Sequence, residues 1–373
     1  MERFYFDHNA TTPVSPEVLE AMLPVMTEVY GNASSMHQFG QAARHKLDGA
    51  RRQVARMFGA QPEEIVFTSG GTEADNLALF GVGGHVITTA VEHPAVLGAA
   101  ARMDATVVPV DGRGVADPDA VRGALRPDTK LISVMHANNE TGVIQPIEDI
   151  ARIAADSGVI MHSDGVQSIG KIPVDPRALG VSLYAISGHK IGAPKGVGAL
   201  YVRKGTQLKP MMFGGRHERE RRAGTENVAG AVGLARAVEW VMEQGAAEAI
   251  RVGTLRDRLE EGILSRIPQV HVNGAGAERT SNTSNLRFEG IDSDALLIAL
   301  DLRGFAVSSG AACSSGAPEP SHVLLAMGLT REQARSSIRF SLGRTNTAEQ
   351  VDALIDAVAE AVTHLRKLSP TYV

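Results

Sequence analysis

Apolar positions in the first 250 residues fall into two alternating kinds of segment. Short runs rich in β-branched residues predict strands at Glu64–Ser69, His85–Ala90, Ala105–Val110, Lys130–Ala137, Val159–Asp164, Leu183–Gly188 and Val197–Arg203. Several of these runs are nearly continuous, as expected of strands covered on both faces. Helical stretches lie between them, such as His37–Phe58, Glu73–Phe80 and Ile147–Asp156. Strand–helix–strand repetition with short connections implies an α/β fold with a mostly parallel sheet wrapped by helices.

After about residue 250 the texture changes. Two helical stretches, Val228–Gln244 and Ala246–Ile267, lead into scattered strands at Thr283–Phe288, Phe305–Ser308 and Ser337–Ser341. The last helix places Val351, Leu354, Ile355, Val358, Val362 and Leu365 on one face, a spacing that suits packing on a core. The pattern predicts a large α/β domain over residues 15–250 and a smaller α+β domain made of residues 1–14 and 251–373. No repeat, low-complexity tract or Pro/Ser-rich linker separates them, so close packing is expected.

Composition narrows the class. The 373 residues carry 37 Lys and Arg against 42 Asp and Glu, a formal charge of −5. Bulk nucleic-acid or membrane-surface binding needs a positive field, which this balance does not supply. The single cysteine excludes an internal disulfide, an all-cysteine zinc site and a cluster held by one chain's thiolates. No apolar run reaches the roughly 18 residues of a membrane span, and the start Met1-Glu2-Arg3-Phe4 lacks an apolar signal core. A soluble, cytoplasmic protein is expected.

The candidate chemistry gathers at strand ends. In an open parallel sheet, ligands bind beyond the carboxyl ends of the strands. Lys190, in Ser187-Gly188-His189-Lys190, follows an apolar strand and precedes a Gly- and Pro-rich loop. A lysine there can lose solvation, lower its pKa and act as a Schiff-base nucleophile, although a solvated loop lysine fits the same pattern. Asp164 ends another strand, with Gln167 close by. Its carboxylate could hold a pyridinium nitrogen protonated, or simply cap the next helix. Thr68-Ser69-Gly70-Gly71-Thr72-Glu73 leaves a strand and opens a helix, an arrangement that receives phosphate but also serves as a plain capping turn.

Two more strand ends finish with Asn138-Asn139-Glu140-Thr141-Gly142 and with Glu92-His93, whose imidazole could stack on a planar cofactor or carry a proton. Any one of these is an ordinary loop feature. Five strand ends that all suit one phosphorylated aromatic cofactor are not. The lone Cys313 lies among small, polar and Gly residues, Ser308-Ser309-Gly310-Ala311-Ala312-Cys313-Ser314-Ser315-Gly316. That setting suits an accessible thiol rather than a buried one. Arg339, alternating with apolar residues in Ile338-Arg339-Phe340-Ser341, could clamp a carboxylate or make a structural ion pair. Gly81-Val82-Gly83-Gly84 lacks the third glycine of a dinucleotide fingerprint and precedes its strand, so it is set aside. The basic run Arg216–Arg222 contains Glu218 and Glu220 and reads as a solvated loop.

From Phe6-Asp7-His8-Asn9-Ala10-Thr11-Thr12-Pro13 to Arg339-Phe340-Ser341-Leu342-Gly343-Arg344, the chain resembles the cysteine desulfurases. These are pyridoxal-phosphate enzymes of class V, with an aspartate aminotransferase-like large domain, here in the nitrogen-fixation and iron–sulfur-cluster branch. The resemblance implies that Lys190 carries the cofactor and moves the substrate's α-proton. It implies that Asp164 pairs with the ring nitrogen, Asn139 and Gln167 with the ring hydroxyl, and that His93 stacks on the ring, with a possible share in proton transfer. Gly71, Thr72, Ser187 and His189 would hold the phosphate, joined by Thr225 from the other subunit of a homodimer. Arg339, with Asn139, would bind the carboxylate of L-cysteine.

Cys313 would take the sulfur as a persulfide while the carbon skeleton leaves as L-alanine. It would then pass the sulfur to an acceptor such as an iron–sulfur scaffold protein. The chain is expected to have no metal site of its own, with Cys313 a candidate transient cluster ligand shared with a partner. The alternatives are a class V aminotransferase, a selenocysteine lyase and, in a different class, a non-enzymatic sulfur or cluster scaffold. A transaminase has no need of Cys313, and a scaffold has no need of Lys190.

Overall fold

The computed structural model describes residues 2–310 and 319–368. The chain opens with β1 (Phe4–Tyr5) and then lays down seven strands. These are β2 (Ile65–Thr68), β3 (His85–Thr89), β4 (Ala105–Val108), β5 (Thr129–Ser133), β6 (Ile160–Asp164), β7 (Leu183–Ser187) and β8 (Gly198–Val202). They form one sheet in the order β2-β8-β7-β6-β5-β3-β4. β8 runs antiparallel to β7 and β2, and the other pairings are parallel. Strands β7 and β8 are buried at every position, which accounts for their unbroken apolar runs.

Helices cover both faces of the sheet. One face packs Phe58, Ile132, Tyr184 and Tyr201, and the other packs Val66, Leu77, Leu131 and Leu200. Full burial of such a side chain contributes about 1.5–3 kcal/mol, so the strand ends project from a stiff platform. The β5 ladder stops at Ser133, short of the predicted Ala137. Val134 and His136 still donate to the carbonyls of His162 and Asp164, so the chain stays beside β6. Asn138 then turns it away by accepting from the amides of Glu140 and Thr141.

The remaining strands, β9 (Val270–Val272), β10 (Thr283–Phe288), β11 (Phe305–Ala306) and β12 (Ser337–Ser341), form two small sheets. β10 lies between β9 and β12, antiparallel to both, and β1 pairs in parallel with β11. A second core gathers Phe6, Phe288, Leu296 and Phe340. The helix Ala348–Leu368 buries Val351, Leu354, Ile355, Val358 and Val362 against it, while Leu365 is only partly covered.

One expectation fails. The two helices predicted on either side of Gly245 are a single helix of 39 residues, Val228–Arg266. Glycine costs a helix about 1 kcal/mol relative to alanine, which made Gly245 read as a break. It is buried, and a β-carbon there would press on Val241 Cγ1, one turn earlier, at 3.3 Å, so the bare position fits its neighbours and the helix continues. The helix buries Val228 to Val238 in the large core and Val252 to Ile263 in the second. We propose that this change of core marks the junction between the two predicted domains. Among the described residues no helix is long and apolar enough to cross a membrane.

Candidate active site

Strands β2, β3, β5, β6 and β7 each deliver one polar turn to the same end of the sheet, and these turns surround a cleft of about 500 Å³. Its walls include Gly71, Thr72, His93, Asn139, Asp164, Gln167, Ser187, His189, Lys190 and Arg339. β2 feeds the helix Gly71–Val82, whose first amides have no intrahelical acceptor and carry the positive end of the dipole. A β-carbon on Gly71 would meet Val166 Cγ2 at 2.7 Å, so only glycine lets the helix start sit against the turn after β6. Glu73 caps the Ser69 amide at 2.8 Å and pairs with Arg222 at 2.8 Å, which keeps its carboxylate engaged.

Asp164 ends β6, buried, and accepts from the Val166 amide at 2.9 Å. Burial pushes its carboxyl above the usual carboxylate range, while His93, the amide and Lys190 pull it back. The next residue, Gly165, lies against the Tyr184 ring; a β-carbon there would fall 2.0 Å from Cε1. Two further buried carboxyls flank the floor. Glu92 is pushed up to about 8 by burial, and Asp75 is raised by burial and then by Asp164 and Glu92.

Lys190 lies in the short helical turn Gly188–Lys190 after β7. Its Nζ donates to the carbonyls of Asn9 at 2.5 Å and Ala10 at 2.8 Å. Burial first, then the Arg339 guanidinium, lowers its pKa to about 8. His93 caps the helix Pro94–Ala100 by accepting from the Ala95 amide at 3.1 Å, which fixes its ring, and burial lowers its pKa. His189 Nδ1 meets Thr11 Oγ1 at 3.1 Å, and burial lowers this imidazole to about 4.

Gln167 donates to the Asn9 carbonyl at 3.0 Å and accepts from Lys171. Arg339, on β12, donates to Asp7 at 2.6 Å and to the Asn139 carbonyl at 3.0 Å, while its buried Nε has no hydrogen-bond partner. The ion-pair reading of Arg339 is therefore met in part, with two of its five N–H donors engaged by Asn139 and Asp7.

Two predicted residues do not join this group. Thr225 is exposed and outside the cleft walls. Cys313 lies outside the described residues; Ser308 and Gly310 before it line the cleft, and Ser308 exchanges backbone hydrogen bonds with Arg339. Sequence reasoning assigns no role to Asp7, Asn9 and Ala10, which lie far away in the chain and reach the cleft through the bridge from Asp7 to Ser341. Lys171, Asp75 and His322 were missed as well, since nothing local marks them. Among the described residues no group of three or more His, Cys, Asp or Glu could hold a metal ion.

The fold and this cleft define a class. Residues 4–354 match the class-V aminotransferase family, and the chain belongs to it. Within that class, the cysteine desulfurase IscS of Methanosarcina thermophila is 47% identical over 378 residues, covering 98% of this chain and 93% of its own. A solved NifS-like protein is 38% identical with a TM-score of 0.91, covering 97% of this chain and all (100%) of that one. A solved SspA in complex with cysteine is 34% identical with a TM-score of 0.81, covering 92% and 99%.

Proposed function

We propose that this protein is a cysteine desulfurase that converts L-cysteine to L-alanine and collects the sulfur on Cys313 as a persulfide. The observation that carries the reading is the meeting, in one cleft, of a lysine lowered to about 8 with a buried carboxylate at the end of the neighbouring strand. The donor set fits pyridoxal phosphate. Lys190 offers an amine, Asp164 an anion for the ring nitrogen, and the glycine-led helix start at Gly71 and Thr72, with Ser187 and His189, donors for a phosphate. When bound, that cofactor supplies an aldehyde for amines and a ring that takes up the electron pair left at the substrate's α-carbon.

The protein's own groups do the rest. Neutral above about 8, Lys190 accepts the α-proton and can return it to a neighbouring carbon. Burial raises Asp164 while His93 and Lys190 favour its charged form, and that form would keep a proton on the ring nitrogen. Gln167 and Asn139 would border the ring and His93, its Nδ1 already committed to the Ala95 amide, would pack against it. Arg339 Nε and one arm of its guanidinium receive the substrate carboxylate, with Asn139 beside them. The Cys313 thiolate forms the new S–S bond as the substrate's β-carbon–sulfur bond breaks; the electron pair stays with carbon and a proton completes alanine.

Thr225, exposed on its own chain, supports a homodimer in which it serves the opposite phosphate site. A lone thiol that must stay reduced between turnovers supports a cytoplasmic setting and a protein acceptor, such as an iron–sulfur scaffold. The test is direct. The purified protein should be yellow, be bleached by borohydride, and yield alanine and, with a reductant, sulfide from L-cysteine. Lys190→Ala should be colourless; Cys313→Ala should keep the colour and release no sulfide. A Cys313→Ala enzyme with undiminished turnover would make this an aminotransferase instead.

A further inference from the structure

Asn9 enters the cleft from the N-terminal segment and is buried, with 2% of its surface exposed. Every polar atom it has is engaged. Its amide donates to Ser341 Oγ at 2.9 Å, and Nδ2 donates to the Asn139 carbonyl at 3.0 Å and to Thr283 Oγ1 at 2.8 Å. Oδ1 accepts from Lys171 Nζ at 3.1 Å and from Asn282 Nδ2 at 3.0 Å. The carbonyl accepts from Gln167 Nε2 at 3.0 Å and from Lys190 Nζ at 2.5 Å. One side chain thus ties β10, the turn after β5 and the turn after β6 to the backbone that receives the Lys190 amine. The Asn139 carbonyl also accepts from Arg339, so the same network reaches the carboxylate-binding arginine.

We propose that Asn9 is a positioning residue for Lys190. It holds its own and Ala10's carbonyl as a berth for the amine whenever Nζ carries no covalent bond, in fixed register with Gln167, Asn139 and Arg339. This rests on the reading of Lys190 as the cofactor-bearing base. The chemistry needs such a berth. A neutral amine has two N–H donors and one lone pair. Two carbonyls on one side take both donors and leave the lone pair free to accept a proton. The berth is backbone, so it can be aimed only by what holds residues 9 and 10. An amide fills that post because it donates twice and accepts twice. Aspartate would keep the bonds from Lys171 and Asn282 and lose the two that Nδ2 makes.

The test compares wild-type, Asn9→Ala, Asn9→Asp and Lys171→Met holoenzymes. Asn9→Ala should keep its colour while its melting temperature falls, lose about tenfold in kcat with KM for L-cysteine within about threefold, and show a larger isotope effect with α-deuterated cysteine. Exchange of the α-proton of L-alanine in heavy water should slow by the same factor. Lys171→Met should act in the same direction, and the double variant should lose no more than the worse single one. Asn9→Asp adds a carboxylate beside both amines, so it should move the acid limb of kcat upward. In the full chain freed of cofactor, it should also raise the pH at which acetic anhydride labels Lys190, from near about 8.

An unchanged isotope effect and exchange rate in Asn9→Ala, or additive losses in the double variant, would overturn the proposal. If Asn9→Ala does not fold, Asn9→Asp with an unmoved limb and labelling midpoint overturns it equally. A wild-type protein that borohydride does not bleach defeats the parent reading instead.

Discussion

The two sides of the cleft are made differently. On the side of the large sheet, Gly71, His93, Asp164 and Lys190 each stand at or just beyond the end of their own strand, aimed by a local turn or cap. On the other side, Arg339 sits within β12, and Asp7 and Asn9 arrive from the opposite end of the chain. The first side can be assembled strand by strand. The second exists only when residues more than 300 positions apart have met, as Arg339 and Asp7 do. On the proposed reading, the stiff platform would carry the reactive groups, and recognition of the substrate's carboxylate would fall to the side that depends on long-range contacts.

Substitutions should follow this division. The largest loss belongs to the platform. Lys190→Ala should abolish colour and lower sulfide release by at least about a thousandfold, measured by absorbance and a sulfide assay. On the other side, Arg339→Lys should raise KM for L-cysteine by about 10- to 100-fold while the resting spectrum stays unchanged, since it keeps the charge and removes the planar fork that a carboxylate needs. Asp7→Asn, which loosens the Arg339 pair without removing the guanidinium, should change KM in steady-state assays by less.

The pH dependence separates the sides again. Lys190 must be neutral to act, so kcat should fall as pH drops below about 8, and Arg339→Lys should leave that limb in place. The smallest effect is on stability. Glu92 is raised from 4.5 to about 8, so the folded protein holds a proton that the unfolded chain has released between those values. Its contribution is complete below about 4.5 and is lost as pH rises towards about 8. Relative to wild type, Glu92→Gln should therefore gain melting temperature across that interval, read by calorimetry at several pH values.

The same division decides what the sequence discloses. The predicted strands at 183–188 and 197–203 correspond to β7 and β8, because full burial writes itself as continuous apolar residues. Lys190, Asp164, His93 and Gly71 were legible because each closes or follows such a run. Arg339 was marked by its alternation with apolar neighbours, but its pairing with Asp7 has no local trace. Nothing near Asn9 or Lys171 shows that they share one network, since that depends on how two cores dock. Gly245 misled for a related reason: local propensity argues for a break, and only the packing of the flanking halves against two cores explains why none occurs.

The long helix Val228–Arg266 has a consequence for how the protein comes apart. Its first half walls one core and its second half the other, with no loop between them at which they could part. Melting either half strips a face from the neighbouring core, so heat should release both in one endotherm rather than two. A substitution that weakens only the C-terminal core should then lower the temperature at which the cofactor platform itself is lost.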